Sequence, residues 1–416
     1  MASAKELIAL DPDNVVDIDL GGDYLRNHAR DGIFAEWGQR RPFYVVNEGI
    51  VHVVVGRHAD LRTVHIDAAR FSSEIPKQPG YERFDYADGA MHIGAQDGKD
   101  HDRVRAAFDP YFGPKAIKQL RQSAEQIIEK MLDEVEALGG PFDAYQDFSY
   151  RLIERILIEG TLGITNPEHQ AAFRRLQHEL EVDSNIKPGQ ARSPDFNQSF
   201  IGVVNTINAI LEERRAHPRE NDLFTGLVKR MDEAGLITHE EIVANLLATL
   251  SGGQGTTAAV AAAMLTNLCK HRGQFDEIIA DRSLIPDAVE ECLRYQTSGL
   301  YTFVRFATCD TELGGTLIAK GTPVLVSPQA ANYDPIKYPD PLKFDIHRKA
   351  RDITTFGTGT HFCLGNRLAR MILAIVLDKV CTRFPNLYNP EPDFKPEYCG
   401  IFGEMRMIRA PLHTGK

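Results

Sequence analysis

The amino-acid sequence predicts a mainly α-helical fold with a smaller β portion, and three observations carry that expectation. From Leu364 onward, apolar residues recur at Leu368, Met371, Ile372, Ile375 and Val376, the three-and-four spacing of a helix packed on a core. Residues 238–271 read as one long helix, opened by a Thr238/Glu241 capping box and ending before Gly273. Against these stands the β-branched run Val51-His52-Val53-Val54-Val55, which forms a hairpin with Tyr44-Val45-Val46 across Asn47-Glu48-Gly49.

Composition sets outer bounds. The chain has 416 residues, 43% hydrophobic and 25% charged, an ordinary globular balance with ample length for a large core. A net charge of −11 disfavours nonspecific nucleic-acid binding and adsorption on anionic membranes. The N-terminus has no apolar stretch of signal-peptide length, and the longest apolar run, Ala258 to Leu265, falls far short of the roughly 20 residues of a membrane span. Six cysteines (269, 292, 309, 363, 381 and 399) are scattered without a disulfide framework or any C-x-x-C pair, which suits a reducing cytoplasm and excludes the common zinc spacings. The expectation is a soluble, cytoplasmic protein.

In chain order, Arg70-Phe71-Ser72-Ser73 closes the helix that follows the hairpin, and an aromatic loop with Tyr81, Phe84 and Tyr86 spans about 75–93. His101 and Arg105 stand four apart, on one helical face. Residues 116–235 read as successive helices broken at Gly139-Gly140-Pro141, Gly163, Pro167, Pro188-Gly189 and Pro218. Mid-way along the long helix lies Ser251-Gly252-Gly253-Gln254-Gly255-Thr256-Thr257. Each interior glycine costs roughly 1 kcal/mol relative to alanine, so three together demand either close helix packing or an opening beside the helix. Glu291 and Arg294 sit one turn apart on a helix started by Pro286; Phe303 to Thr308 read as a strand, and Gly314-Gly315 and Lys320-Gly321 mark turns.

The stretch Phe356-Gly357-Thr358-Gly359-Thr360-His361-Phe362-Cys363-Leu364-Gly365 brings one cysteine to a helix N-terminus, where unpaired N–H groups and the positive dipole end lower a thiol pKa. Three readings compete for Cys363: a buried inert thiol, a nucleophile with His361 as base, and a thiolate ligand to haem iron. A nucleotide loop is excluded by Phe362 at the third glycine position of G-x-G-x-x-G.

The whole run resembles the haem-binding signature of the cytochromes P450, F-G-x-G-x-H-x-C-x-G-x-x-L-A-R, with every specified position filled through Arg370. The resemblance implies one domain over residues 1–416 in the cytochrome P450 fold, β-rich at about 40–75 and 300–330. It implies haem b (iron protoporphyrin IX) ligated by Cys363 within the Phe356-Gly357 loop, with His101, Arg105, Arg305 and His361 at the propionates. Glu291 and Arg294 match the family's structural E-x-x-R pair. The segment Gly252 to Thr257 is similar to (A/G)-G-x-(D/E)-T-T, which gives Thr256 charge of the oxygen adduct. Gly255 stands where the family has an acid, and Gln254 orders water but cannot donate a proton as a carboxylic acid does.

The implied activity is monooxygenation of a compact hydrophobic molecule such as a terpenoid or aromatic, by hydroxylation, dealkylation or epoxidation with O2. Electrons come from a ferredoxin and its NAD(P)H-dependent reductase. Candidate pocket residues are Phe84, Tyr86, Leu246, Leu250, Gly252, Leu300, Tyr301, Phe303, Ile401 and Phe402, several of which equally suit plain core positions. Because of Gly255, a peroxide-using haem-thiolate enzyme, an isomerase and a non-catalytic haem sensor stand as alternatives.

Overall fold

Alternation of helix-forming and β-branched segments yields the expected mixture. The computed structural model describes residues 4–20, 25, 32–47, 49–74, 91–182, 194–301, 304–400 and 403–416. The predicted pocket residues Phe84, Tyr86, Phe303, Ile401 and Phe402 lie outside them, as do most of the loops at 75–93 and 184–196.

The largest sheet joins the two β-rich parts of the chain. Phe43–Asn47 pairs antiparallel with Ile50–Val55, which runs parallel to Pro323–Val326; Arg305–Ala307 and then Phe71–Ser72 complete the order, both antiparallel. The hairpin register is as expected, with Phe43 opposite Val54 and Asn47 opposite Ile50. One local expectation fails. Residues 70–73 do not close a helix: the helix ends at Ile66, and Phe71 and Ser72 pair with Ala307 and Phe306 as an edge strand. A partner supplied by residues more than two hundred positions later overrides any local signal.

The helices follow their breakers. Pro114–Ala137 ends before Gly139, which adopts φ +65°, and Pro167–Val182, Pro194–Ala216 and Leu223–Asp232 follow. The long helix runs His239–Lys270, and both halves of its capping box form, Glu241 N–H donating to Thr238 Oγ1 and Thr238 N–H to Glu241 Oε2. It is α-helical throughout, with no local widening at its glycines. Its residues Ala258 to Leu265 are buried in the main core, together with Ile372, Ile375 and Val376 of the helix Asn366–Arg383.

The E-x-x-R pair lies at the centre of a buried network. Both side chains are 0% exposed, and Arg294 Nε and Nη2 donate to the two Glu291 carboxylate oxygens at 2.7 and 2.8 Å. Arg348 Nε donates to Glu291 Oε1 at 3.3 Å. Arg294 Nη1 donates to the carbonyl of Asn332, whose own side chain accepts from Thr354 N–H at 2.8 Å and donates to Thr355 Oγ1 at 2.9 Å. The pair thus braces the residues immediately before Phe356.

Candidate active site

Cys363 is carried by a loop held from three sides. Its N–H donates to the Phe356 carbonyl at 2.9 Å, and Asn366 Nδ2 donates back to the Cys363 carbonyl at 2.6 Å. Arg105 Nη1 donates to the Phe362 carbonyl at 2.8 Å. Arg370, ion-paired with Glu290, lies 4.4 Å over the Phe356 ring. Gly359 is required by the turn itself: its φ is +73°, and a Cβ there would come within 2.7 Å of the His65 carbonyl oxygen.

The expected lowering of the Cys363 thiol is not the net result. Burial pushes it up, and the backbone N–H groups of Gly365 and Asn366, with the charges of Arg105 and Arg370, offset this only in part. The helix-end donors act in the expected direction, but desolvation outweighs them. A metal cation bonded to the sulfur would pull its pKa down again. Burial also raises Cys269, Cys292 and Cys381.

Beside the loop is a cluster of buried basic side chains around one carboxylate. His361 Nε2 lies 3.1 Å from Asp97 Oδ1 and 3.0 Å from Ser73 Oγ, and its ring centroid is 4.4 Å from that of His101. Asp97 also accepts from Ser72 Oγ and Ser73 N–H. Burial pushes the Asp97 carboxyl up, yet these hydrogen bonds prevail and hold it well below the usual range. Burial also lowers His361, against the pull of Asp97. Arg305, 4% exposed, is pushed down to about 10 by burial, with Asp97 offsetting part of the effect.

The cluster fits the dianionic edge of a haem. His101 is 1% exposed; its Nδ1 meets Asp102 Oδ1 at 2.9 Å, while Nε2 has no hydrogen-bond partner among the described residues. A buried polar nitrogen left alone costs about 1–3 kcal/mol, and a carboxylate ligand would satisfy it when the ring carries both protons. Of the predicted basic residues, His101, Arg305 and His361 converge here. Arg105 is committed to Asp109 and the Phe362 carbonyl, bracing the cysteine loop. Sequence reasoning missed His65, His92, Ser73 and Asp97, because no spacing rule links them to residue 361.

Buried neutral histidines imply acid lability. Burial first, then Arg305 and His361, hold His65 down to about 3; burial and His361 hold His92 down to about 4. Both titrate near 6.5 when unfolded, so the unfolded chain binds more protons below that pH. Stability of the haem-free protein is therefore full above about pH 6.5 and falls as pH drops toward 4, by several kcal/mol at about 1.4 kcal/mol per pH unit of each gap. Urea midpoints measured across this window check it, and His65→Asn should flatten the slope.

The glycines of the long helix have three separate reasons. Gly252 is exposed with nothing within 4 Å of a built Cβ, whereas a Cβ on Gly253 would lie 3.2 Å from Leu157 Cδ1. At Gly255 the neighbour is the carboxylate of Glu404, at 3.9 and 4.0 Å. Only Gly252 is the expected opening; Gly253 serves close packing. Thr256 Oγ1 donates to the Gly252 carbonyl at 2.7 Å, leaving its lone pairs available. Gln254 is 1% exposed, and neither end of its amide has a partner among the described residues, so buried water suits it. Leu246, Leu250 and Leu300 are all core residues, at most 2% exposed, and Tyr301 stacks at 6.4 Å on Trp37.

Comparison with known proteins gives the same family. The family model described as Cytochrome P450 matches residues 41–410. The chain is 32% identical over 299 residues to 6-deoxyerythronolide B hydroxylase of Saccharopolyspora erythraea, covering 72% of each protein. It is 32% identical over 294 residues to vitamin D3 dihydroxylase of Streptomyces griseolus, covering 70% of this chain and 69% of that protein. The structure of cytochrome P450 CYP109Q5 from Chondromyces apiculatus aligns with a TM-score of 0.82 at 26% identity, over 95% of this chain and 98% of that one. Cysteine loop, buried basic cluster, braced E-x-x-R pair and whole-chain similarity agree: the chain belongs to the cytochrome P450 family and is a monooxygenase, an oxidoreductase working with a haem-thiolate cofactor.

Proposed function

We propose that this monooxygenase holds haem b through the Cys363 thiolate and oxidises a hydrophobic small molecule by hydroxylation, dealkylation or epoxidation. Electrons come from a ferredoxin and its NAD(P)H-dependent reductase, in a reducing cytoplasm that suits six free cysteines. One observation carries the assignment of the ligand: Cys363 sits on a clamped loop beside buried basic groups that want anions. Bound haem supplies dioxygen binding and its reductive activation. His101, Arg305 and His361 orient the porphyrin carboxylates, and Arg105 holds the carbonyl just before the ligand. The Thr256 hydroxyl, anchored on the Gly252 carbonyl, accepts and passes a hydrogen bond at the open face of the long helix.

The substrate we propose is a hydrophobic small molecule. Two relatives are named for 6-deoxyerythronolide B and vitamin D3. Leu246, Leu250 and Leu300 are packed core, so they shape the walls from behind, and Gly252 offers open space. The test is a ligand screen on haem-loaded protein by iron spin state, followed by product analysis with ferredoxin and reductase and, separately, with peroxide. Product with the electron-transfer pair supports the proposal. Turnover with peroxide alone, or ligand binding with no product under either supply, overturns it.

A further inference from the structure

Monooxygenation consumes protons as well as electrons. In RH + O2 + 2 e− + 2 H+ → ROH + H2O, a C–H and the O–O bond break, one oxygen enters the substrate and the other leaves as water. The redox partner supplies both electrons, and the protons must reach the oxygen-binding face. The helix His239–Lys270 has no carboxylate next to Thr256, because residue 255 is glycine.

A carboxylate reaches that point from elsewhere in the chain. Among the described residues outside the helix's own backbone, the atoms within 4 Å of a Cβ at position 255 are the two carboxylate oxygens of Glu404, at 3.9 and 4.0 Å. An aspartate carboxyl carbon lies about 1.5 Å beyond its own Cβ, so an acid at 255 would extend into the space beside the Glu404 carboxylate. That contact distance is an ordinary one, so position 255 faces the Glu404 carboxylate with room for a small side chain.

The position of Glu404 is fixed by its backbone. Gly403 turns the chain at φ +83°, Leu300 N–H donates to the Gly403 carbonyl at 2.7 Å, and Met405 N–H donates to Ser298 O at 2.8 Å. Glu404 itself bridges Gly299 antiparallel. Two residues on, Arg406 is 5% exposed with Nη1 3.5 Å from Tyr145 Oη. Burial works against its charge, but Tyr145, Cys399 and Glu404 outweigh it and the net shift is upward. The site therefore has a buried cation whose charge is felt together with that of Glu404, and next to Gly255 both buried amide ends of Gln254 lack a hydrogen-bond partner among the described residues.

We propose that Glu404, delivered by the C-terminal segment, is the carboxyl group that feeds protons toward Thr256 in place of the acid missing at position 255. It acts through Thr256 and water, as a positioning residue of the proton path, and does not touch the reacting atoms. The assignment rests on the monooxygenase function proposed above.

The test uses haem-loaded full-length protein, a ferredoxin–reductase pair and a substrate found by the spin-state screen. Product per NAD(P)H and released hydrogen peroxide are measured against pH for wild type, Glu404→Gln, and Glu404→Gln with Gly255→Asp. In Glu404→Gln, coupling should fall at least about tenfold and peroxide rise, while the carbon-monoxide spectrum and substrate-induced spin shift stay at wild-type values. Adding Gly255→Asp should restore most of the coupling, a rescue that a purely structural role for Glu404 would not give.

A melting experiment needs no turnover. Gly255→Asp in the wild-type background sets two carboxylates together, which raises one folded-state pKa above its unfolded value. The melting penalty should then be small near about pH 5 and grow toward about pH 8, and Glu404→Gln should abolish that dependence. Wild-type coupling in Glu404→Gln, failure of the rescue, or a melting penalty indifferent to Glu404 would each overturn the relay alone. No product from wild type would overturn the proposed function and the relay with it.

Discussion

Cys363→Ser protein should fold, retain its helical signal, and lose the thiolate-type carbon-monoxide spectrum together with its oxygenase activity. The loop is closed by backbone and neighbouring side-chain groups, not by the sulfur: Cys363 N–H to the Phe356 carbonyl, Asn366 Nδ2 to the Cys363 carbonyl, and Arg105 to the Phe362 carbonyl all survive the substitution. What is lost is the soft anionic donor to iron, which a neutral hydroxyl replaces poorly. Outer-shell partners of a metal site already cost 10–100-fold when removed, so loss of the ligand itself should exceed about 100-fold in turnover. Carbon-monoxide difference spectra and product assays on matched haem-loaded samples measure both. An unchanged thiolate-type spectrum would assign the iron to another donor.

Glu291→Ala should be the most damaging substitution away from the cysteine loop. It leaves Arg294, fully buried, with its carboxylate partner gone, and also removes the acceptor for Arg348 Nε and Asp345 N–H. Breaking a buried pair by deleting one partner costs about 3–5 kcal/mol, because the remaining charge keeps its desolvation penalty. The damage should spread to the haem loop, since Arg294 holds the Asn332 carbonyl and Asn332 holds Thr354 and Thr355 just ahead of Phe356. Urea midpoints and haem retention should therefore drop together. Glu291→Gln keeps one acceptor oxygen but sets an NH2 against an N–H donor and leaves Arg294 without its counter-charge, so it should lose nearly as much of both. A stability change below about 1 kcal/mol in Glu291→Ala would contradict this account of the network.

Much of this was legible in the chain because the informative features are local. The Cys363 loop, the four-residue spacing of His101 and Arg105, the Glu291–Arg294 turn and the Thr238/Glu241 box depend on neighbours within one or two helical turns. The geometry of each appears in the structure as its spacing implied. The hairpin of Tyr44–Val46 with Val51–Val55 is local in the same sense. Where the chain had to meet itself across long separations, local signals fell short. Phe71–Ser72 became a strand only because Ala307 and Phe306 lie beside it.

The sequence by itself determined the family, the Cys363 loop that matches its signature, the helical framework and the absence of an acid at position 255. Only the tertiary structure decided the environment of those residues. It gathered His65, His92 and Asp97 around His361, let desolvation override the helix-end donors at Cys363, and set Gly253 against Leu157 and Gly255 against Glu404 while leaving Gly252 exposed. Spacing along a chain fixes which side chains share a turn. Burial, long-range pairing and the charge facing a group depend on which distant segment packs against it, as Glu404 does against Gly255.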